Sequence, residues 1–174
     1  MIGERDSYLG KTAYLSLGSN LGDRAANLRS GLQLLTKLGQ IVAVSSFFET
    51  EPVEVEGPQD WFLNCAMALD TELMPRQLLS QILSIEEALG RRRSERSEGK
   101  QPRTLDIDIL LFGNAVMKSR DLTLPHPALF HRRFVLEPLG EIAPNLVHPV
   151  LKRSVRELLE ALPAGSGVVR KYHR

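Results

Sequence analysis

Apolar residues recur along this chain with two different periods, which predict two kinds of element. Short apolar or alternating runs bounded by turn residues predict strands. These runs cover residues 13–17, 41–48, 61–71 and 105–111. Apolar residues spaced three and four apart predict helices. These stretches follow Asp23, run from Pro75 to Gly90, centre on 132–140 and begin at Ser154, where Glu157 completes a capping box.

Two of the predicted helices carry end signals as well as an apolar stripe. Asp23 can cap the first helix, and Gly39 suits the left-handed residue after its end. Pro75 fits the first turn of the second helix, and Gly90 ends it. The stripe residues are Leu28, Leu32 and Leu35 in the first helix and Leu78, Leu79, Ile82, Ile85 and Leu89 in the second.

Helices interspersed with strands predict a mixed α/β (α+β) fold. We expect a ferredoxin-like three-layer α-β-α sandwich with a mostly antiparallel central sheet. A chain of 174 residues with 43% apolar residues can bury one core of its own. We therefore predict an N-terminal extension over 1–12 and a single domain over 13–174, and we expect a monomer because one core uses all the stripes.

The charge balance argues against a protein that attracts polyanions through a large overall positive charge. The 22 basic and 21 acidic residues give a net charge of +1, so we expect local phosphate binding and no nucleic-acid or membrane partner. No uncharged stretch approaches about 18 residues, and the N-terminal residues do not resemble a signal peptide. The single cysteine, Cys65, cannot form an intramolecular disulfide, which favours the cytoplasm.

The strand at 105–111 carries the most specific chemical pattern. Its apolar residues at odd positions share one face, and Asp106 and Asp108 share the other. Two carboxylates roughly 7 Å apart on one face can bracket two metal ions about 4 Å apart, and oxygen ligands suit magnesium. The alternative is a polar strand edge with two solvated acids.

A basic segment precedes this acid pair. Six cations minus two anions leave a net charge of +4 within residues 91–103. Guanidinium groups bind phosphate oxygens in pairs, so arginines beside paired acids indicate polyphosphate binding, although each could instead belong to an exposed, solvated loop. No P-loop motif is present in the sequence, so ATP would have to be held in another way. The cations are Arg91, Arg92, Arg93, Arg96, Lys100 and Arg103, and the anions are Glu95 and Glu98.

Two further segments admit two interpretations each. Gly18-Ser19-Asn20 follows a strand and could either present N–H groups to an anion or form only a turn. His126 stands between two prolines and could be a fixed phosphate donor or a structural histidine. The spacing of the histidines does not fit a zinc site.

Four segments, in this order along the chain, resemble one family. They are G-S-N at 18–20, F-L-N at 62–64, P-R-T-L-D-I-D-I at 102–109 and L-P-H-P at 124–127. In them the chain is similar to the 6-hydroxymethyl-7,8-dihydropterin pyrophosphokinases of folate biosynthesis. The resemblance implies a single catalytic domain over 13–174, in which the hydroxymethyl oxygen of the pterin attacks the β-phosphorus of ATP and gives the pterin diphosphate and AMP.

The resemblance also implies roles for individual residues. Asp106 and Asp108 match ligands of two Mg²⁺ ions, with ATP as co-substrate. The segment 94–101 is longer than in the best-known members and is predicted to close over bound substrates. The implied catalytic residues are Arg91, Arg103, Asp106 and Asp108. The implied pterin-binding residues are Thr50, Val53, Phe62, Asn64, Asp106 and Phe134. The implied ATP-binding residues are Leu79, Glu86, Arg91, Arg93, Arg103, Ile109, Thr123, His126 and Arg132.

Two other functions would use the same features. Another magnesium-dependent phosphodiesterase or nucleotidyl transferase also needs paired acids and arginines. A ferredoxin-like RNA-binding module would use the basic segment. Only 6% of the residues are aromatic, the charge is nearly neutral and an RNP aromatic pattern is lacking, and these features argue against RNA binding.

Overall fold

One antiparallel sheet forms the middle layer of the molecule. The structure, a computed structural model, describes residues 11–52, 58–90 and 102–173. Its strands are β1 (Lys11–Ser19), β2 (Gln40–Val44), β3 (Phe48–Thr50), β4 (Phe62–Thr71), β5 (Asp106–Phe112), β6 (Met117–Lys118), β7 (Thr123–Leu124) and β8 (Val169–Lys171). Its helices are α1 (Arg24–Leu35), α2 (Pro75–Ala88), α3 (Arg133–Ile142) and α4 (Val155–Glu160), with 3-10 turns at Thr36–Leu38 and Leu129–His131.

The long strands β1 and β4 form the centre of the sheet. The strand order is β5-β1-β4-β3-β8, and β2 pairs with the part of β4 that β3 leaves unpaired. Each of these strand pairs is antiparallel. The short strands β6 and β7 pair only with each other, among the described residues. The predicted α+β class with a mostly antiparallel sheet is therefore confirmed.

Helices cover both faces of the sheet, because alternate strand residues are apolar toward each side. On the face that we call lower, α1 and α2 pack over side chains such as Leu15, Leu63 and Ile107. On the opposite, upper face, α3 and α4 pack over a smaller group that includes Ala66 and Leu111. The upper helices cover only part of their face, which leaves room for a site beside them.

A bulge in β5 reverses one predicted orientation. Tyr14 pairs with Leu111, but the next residue, Leu15, pairs with Ile109, so Leu110 is the extra residue. The prediction that Leu111 shares the face of Ile107 and Ile109 is therefore wrong, because Leu110 and Leu111 both pack on the upper face. Asp106 and Asp108 precede the bulge and keep the upper face that alternation predicts.

The predicted strand 41–48 is two strands. Ser45 interrupts the run: its N–H donates to the Ala66 carbonyl and its hydroxyl oxygen accepts the Ala66 N–H, at 2.9 Å each. The chain then re-enters the sheet at Phe48 as β3. The C-terminal strand β8 was not predicted, because three residues are too few to show a period.

The helix signals are confirmed with one correction. The Ala26 N–H donates to Asp23 Oδ1 at 3.0 Å, and the Ser154–Glu157 capping box is present. Gly90 has the left-handed φ of 91° that ends α2. Gly39 is extended rather than left-handed, and a Cβ there would lie 2.1 Å from the carbonyl oxygen of Asp70, so close backbone approach requires the glycine.

β1 begins at Lys11, two residues before the predicted start, and residues 1–10 lie outside the described residues. Over the described ranges, no helix is long and apolar enough to cross a membrane.

Candidate active site

One row of residues crosses the upper face of the sheet at the end where β5 begins. Gly18 pairs with Asp106 of β5 on one side and with Asn64 of β4 on the other. Neighbouring strands lie about 4.8 Å apart, so Asp106 and Asn64 are separated by about 10 Å across Gly18. A Cβ on Gly18 would lie 2.6 Å from Asn64 Oδ1, so only glycine fits there. Gly18 is a strand residue, and the prediction that placed it in a turn is wrong.

The charged groups beside this row form what we call the acid side: Arg103, Asp106, Asp108, His126 and Arg132. Arg103 Nη1 donates to Asp106 Oδ2 at 2.5 Å. Although 41% of the Asp108 side chain is exposed, burial by the cleft walls and repulsion from Asp106 raise the pKa of Asp108. The charges of Arg132 and Arg103, and that of His126 when its ring is protonated, oppose that rise. A nearby cation would therefore stabilise the ionised form of the Asp108 carboxyl.

His126 faces Asp108 with one defined nitrogen. Its Nδ1 accepts the Ala128 N–H at 3.2 Å, so a neutral imidazole carries its proton on Nε2. Nε2 lies 4.0 Å from Asp108 Oδ1. Burial lowers the pKa of His126, and the charge of Arg132 adds to this against the pull of Asp108 and Asp106. At neutral pH the ring is therefore an uncharged N–H donor pointing toward the acids.

The neutral groups on the other side of Gly18 form what we call the amide side: Thr50, Phe62, Asn64 and Phe134. Asn64 and Thr50 are 4% and 2% exposed, and Asn64 Nδ2 donates to Thr50 Oγ1 at 2.5 Å. This bond orients the amide, so Asn64 Oδ1 faces Gly18 and the acid side. Phe62 and Phe134 are half-buried, on β4 and at the start of α3. The Arg132 guanidinium carbon lies 5.7 Å from the Phe134 ring centroid, so the two sides meet there.

Asn20 joins segments from both sides, a role that the sequence did not indicate. The Asn20 N–H donates to the Arg103 carbonyl at 3.1 Å, and its Oδ1 accepts the Arg103 N–H at 2.7 Å. Its Nδ2 donates to Gln59 Oε1 at 3.1 Å. Because the Asn20 N–H is used by Arg103, the interpretation of this tripeptide as an anion-binding turn is wrong. The G-S-N motif was the only signal that this position mattered.

Several residues that the resemblance assigned to ATP do not face the row. Ile109 is 3% exposed and packs in the lower core, where Leu79 lies partly buried beside it. Glu86 is 1% exposed, and its Oε1 accepts the Ile107 N–H at 2.7 Å, which fixes β5 between the two acids. Thr123 lines a cleft of about 390 Å³ together with His126. The assigned residues Val53, Arg91 and Arg93, and the predicted closing segment 94–101, lie outside the described residues.

The two acids suit a magnesium ion that takes its other ligands from phosphate and water rather than a metal site made wholly of protein side chains. Over residues 11–52, 58–90 and 102–173, no group of three or more His, Cys, Asp or Glu side chains could hold a metal ion. Two carboxylates with further oxygen ligands from phosphate and water are the set that magnesium prefers. Burial and repulsion from Asp106 raise the pKa of Asp108, and a dication would relieve the repulsion.

Comparison with known proteins identifies the family. The family model of 7,8-dihydro-6-hydroxymethylpterin-pyrophosphokinase (HPPK) matches residues 14–144, more than half of the chain. The chain belongs to the HPPK family. Membership makes it a pyrophosphokinase, a type of enzyme that uses ATP as co-substrate, and it confirms the resemblance found in the four motifs.

Individual relatives of this HPPK agree. A 2-amino-4-hydroxy-6-hydroxymethyldihydropteridine pyrophosphokinase of Methylorubrum extorquens is 48% identical over 156 residues, which cover 88% of this chain and 95% of the relative. The folic acid synthesis protein FOL1 of Dictyostelium discoideum is 39% identical over 155 residues, 89% of this chain but 23% of that longer protein. A crystal structure of Plasmodium falciparum HPPK-DHPS, 18% identical, has a TM-score of 0.71 over 90% of this chain and 46% of its own, which supports the fold alone.

Proposed function

We propose that this HPPK transfers a diphosphate group from ATP to the hydroxymethyl oxygen of 6-hydroxymethyl-7,8-dihydropterin, with two Mg²⁺ ions held by Asp106 and Asp108. The observation that carries the proposal is the row from Asp106 through Gly18 to Asn64. It sets paired acids and an oriented amide about 10 Å apart on one face, with two half-buried aromatic rings alongside. That span fits a pterin ring whose hydroxymethyl group points toward the acids.

The amide side supports recognition of a flat heterocycle. Rings such as Phe62 and Phe134 stack on aromatic ligands, and a buried amide reads the hydrogen-bonding edge of the ligand. Thr50 holds Asn64 Nδ2, so Asn64 Oδ1 is the group presented for an N–H donor of the pterin. A site built in this way rejects ligands that lack the donor, because the buried oxygen would remain unpaired.

The acid side supports the transfer itself. The substrate hydroxyl oxygen forms a bond to the β-phosphorus while the bond from that phosphorus to the α,β-bridging oxygen breaks, so AMP leaves. The hydroxyl proton passes to Asp106, which lies in the same row as Asn64. Bound Mg²⁺ would neutralise phosphate charge and align the attacking oxygen. Asp106 and Asp108 would hold the ions, because their carboxylates share one face of β5.

Three further groups favour a phosphate chain beside the acids. Arg103 is anchored through its backbone by Asn20 and through its guanidinium by Asp106. His126 presents an N–H, and Arg132 lies close enough to Asp108 to affect its pKa. Donors fixed before the reaction stabilise the charge that develops during phosphoryl transfer. Contacts of Arg91 and Arg93 with the phosphates stay predictions.

The cellular setting is also part of the proposal. Burial raises the pKa of the Cys65 thiol to about 12, so this cysteine is chemically inert and gives no reason for an oxidising compartment. The cytoplasm, a monomeric state and the lack of a nucleic-acid partner stay predictions from composition and patterning.

A product assay tests the proposal against its enzymatic alternative. We expect AMP and pterin diphosphate in equal amounts from ATP and the pterin alcohol with Mg²⁺, and no AMP when the alcohol is omitted. A phosphodiesterase or nucleotidyl transferase would release AMP or inorganic pyrophosphate without the alcohol. Release of AMP or inorganic pyrophosphate without the alcohol would refute the proposed reaction but would still be compatible with the proposed metal site.

A further inference from the structure

The C-terminal strand lies behind the amide side of the site. β8 is beyond residues 14–144, the part that the family model matches. It adds to the outer edge of β3, where Glu49 pairs with Arg170 and Thr50 pairs with Val169. β8 therefore covers the outer edge of β3, the strand that carries Thr50.

Four side chains tie β8 to the elements below the amide side, and we call them the Glu49 cluster: Arg24, Glu49, Trp61 and Arg170. Glu49 Oε1 accepts from Arg24 Nη2 at 2.7 Å, and Glu49 Oε2 accepts from Arg170 Nη2 and Nε at 3.0 and 3.1 Å. Arg24 Nη1 also donates to the Trp61 carbonyl at 2.7 Å, and the Arg170 guanidinium lies 4.8 Å from the Trp61 ring centroid. Trp61 is thus held by its backbone and by its ring.

The cluster sits directly behind two residues of the amide side. Glu49 precedes Thr50 within β3, so their side chains point to opposite faces of the sheet, and Trp61 directly precedes Phe62, the first residue of β4. Thr50 and Phe62 are paired with each other across β3 and β4. Whatever fixes Glu49 and Trp61 therefore restrains the backbone that carries Thr50 and Phe62.

We infer that Arg170 is a positioning residue for pterin binding, which acts through Glu49 and Trp61 to keep Thr50 and Phe62 in their binding arrangement. The inference rests on the proposed function. A preformed slot saves the ordering that a loose one must undergo when its ligand binds. Three strands, β1, β4 and β3, separate Asp106 on β5 from Arg170 on β8, and Arg103 is bonded to Asp106, so ATP binding should not depend on Arg170. The pKa of Glu49 is lowered, chiefly by the hydrogen bond from Arg24, so the cluster is charged at neutral pH.

The test compares Arg170→Ala and Arg170→Lys with the control Arg156→Ala, an exposed arginine on α4. Because the Arg170 side chain is 64% exposed, we expect a modest effect: a KM for the pterin alcohol raised about three- to fivefold in Arg170→Ala. The KM for ATP and kcat should stay within about twofold, and Arg170→Lys should recover part of the loss. Trp61 is the sole tryptophan, so its emission should shift in Arg170→Ala and not in the control.

Three results would overturn the inference. An unchanged pterin KM in Arg170→Ala, with normal AMP formation, would refute the positioning role and leave the proposed function intact. Equal changes in both KM values and in kcat, with a lower melting temperature, would show that Arg170 serves stability only. If the wild-type chain makes no AMP from ATP and the pterin alcohol, the proposed function fails and the inference fails with it.

Discussion

The acid side consists of charged, partly exposed groups, whereas the amide side consists of neutral groups that are buried or half-buried. Burial and repulsion from Asp106 raise the pKa of Asp108, so in the proposed function the acid side would be complete only with metal and phosphate bound. Thr50 Oγ1 already accepts a hydrogen bond from Asn64 Nδ2, so the amide is oriented before any ligand arrives. In the proposed function, the acid side would therefore provide catalysis and the amide side would provide selection.

The largest effect should come from removing one charge on the acid side. Asp108→Asn keeps the shape of the side chain but loses an anionic ligand, so we expect kcat to fall about a thousandfold or more. The affinity for the pterin alcohol, measured without ATP by calorimetry, should change less than about threefold. Asp121→Asn removes an exposed carboxylate in the turn between β6 and β7 and is the control. A loss of kcat below tenfold would refute the division of roles.

A smaller effect, on pterin binding, should follow from adding a side chain at Gly18, the residue between the acid side and the amide side. A Cβ in Gly18→Ala would lie 2.6 Å from Asn64 Oδ1 and must displace the amide. We expect the KM for the pterin alcohol to rise about tenfold, with kcat changed much less. Gly140→Ala is the matched control, because its Cβ would meet Leu159 and Val155 at 3.7 and 3.8 Å, ordinary contact distances. Equal kinetics in the two variants would show that Asn64 does not read the substrate.

The two sides also differ in how far the sequence predicted them. The acids follow from alternation within one strand, which is local information. The amide side depends on register between strands far apart in the chain: Gly18 with Asn64, and Thr50 with Phe62. Nothing local in the sequence states that register. Asn20 was missed for the same reason, because its partners Gln59 and Arg103 are 39 and 83 residues away.

The smallest effect should come from a histidine outside both sides. His148 makes the same turn as His126, with Nδ1 accepting the N–H groups of Val150 and Leu151 at 3.2 and 3.1 Å. Burial lowers the pKa of His148, so its contribution to stability is complete above the unfolded pKa near 6.5 and is lost as pH falls below it. In His148→Asn, the amide oxygen can still accept these N–H groups, but the side chain has no group that titrates.

Thermal melts of both proteins from pH 8 to pH 5 check this difference. We expect the free energy of unfolding to fall less steeply with acid in His148→Asn, by at most about 1.4 kcal/mol per pH unit. Kinetics at pH 8 should match the wild type. Parallel pH profiles would contradict the assignment of this loss to His148.

The central claim is that acids on β5 hold metal ions that join the nucleotide to a pterin seated across Gly18. Calorimetric titration of the pterin alcohol, with and without Mg²⁺ and a non-hydrolysable ATP analogue, tests it most directly in the wild type, Asp106→Asn and Asp121→Asn. The account predicts at least about tenfold tighter pterin binding with the metal and analogue in the wild type and Asp121→Asn, and little or no gain in Asp106→Asn. An equal gain in all three proteins would contradict it.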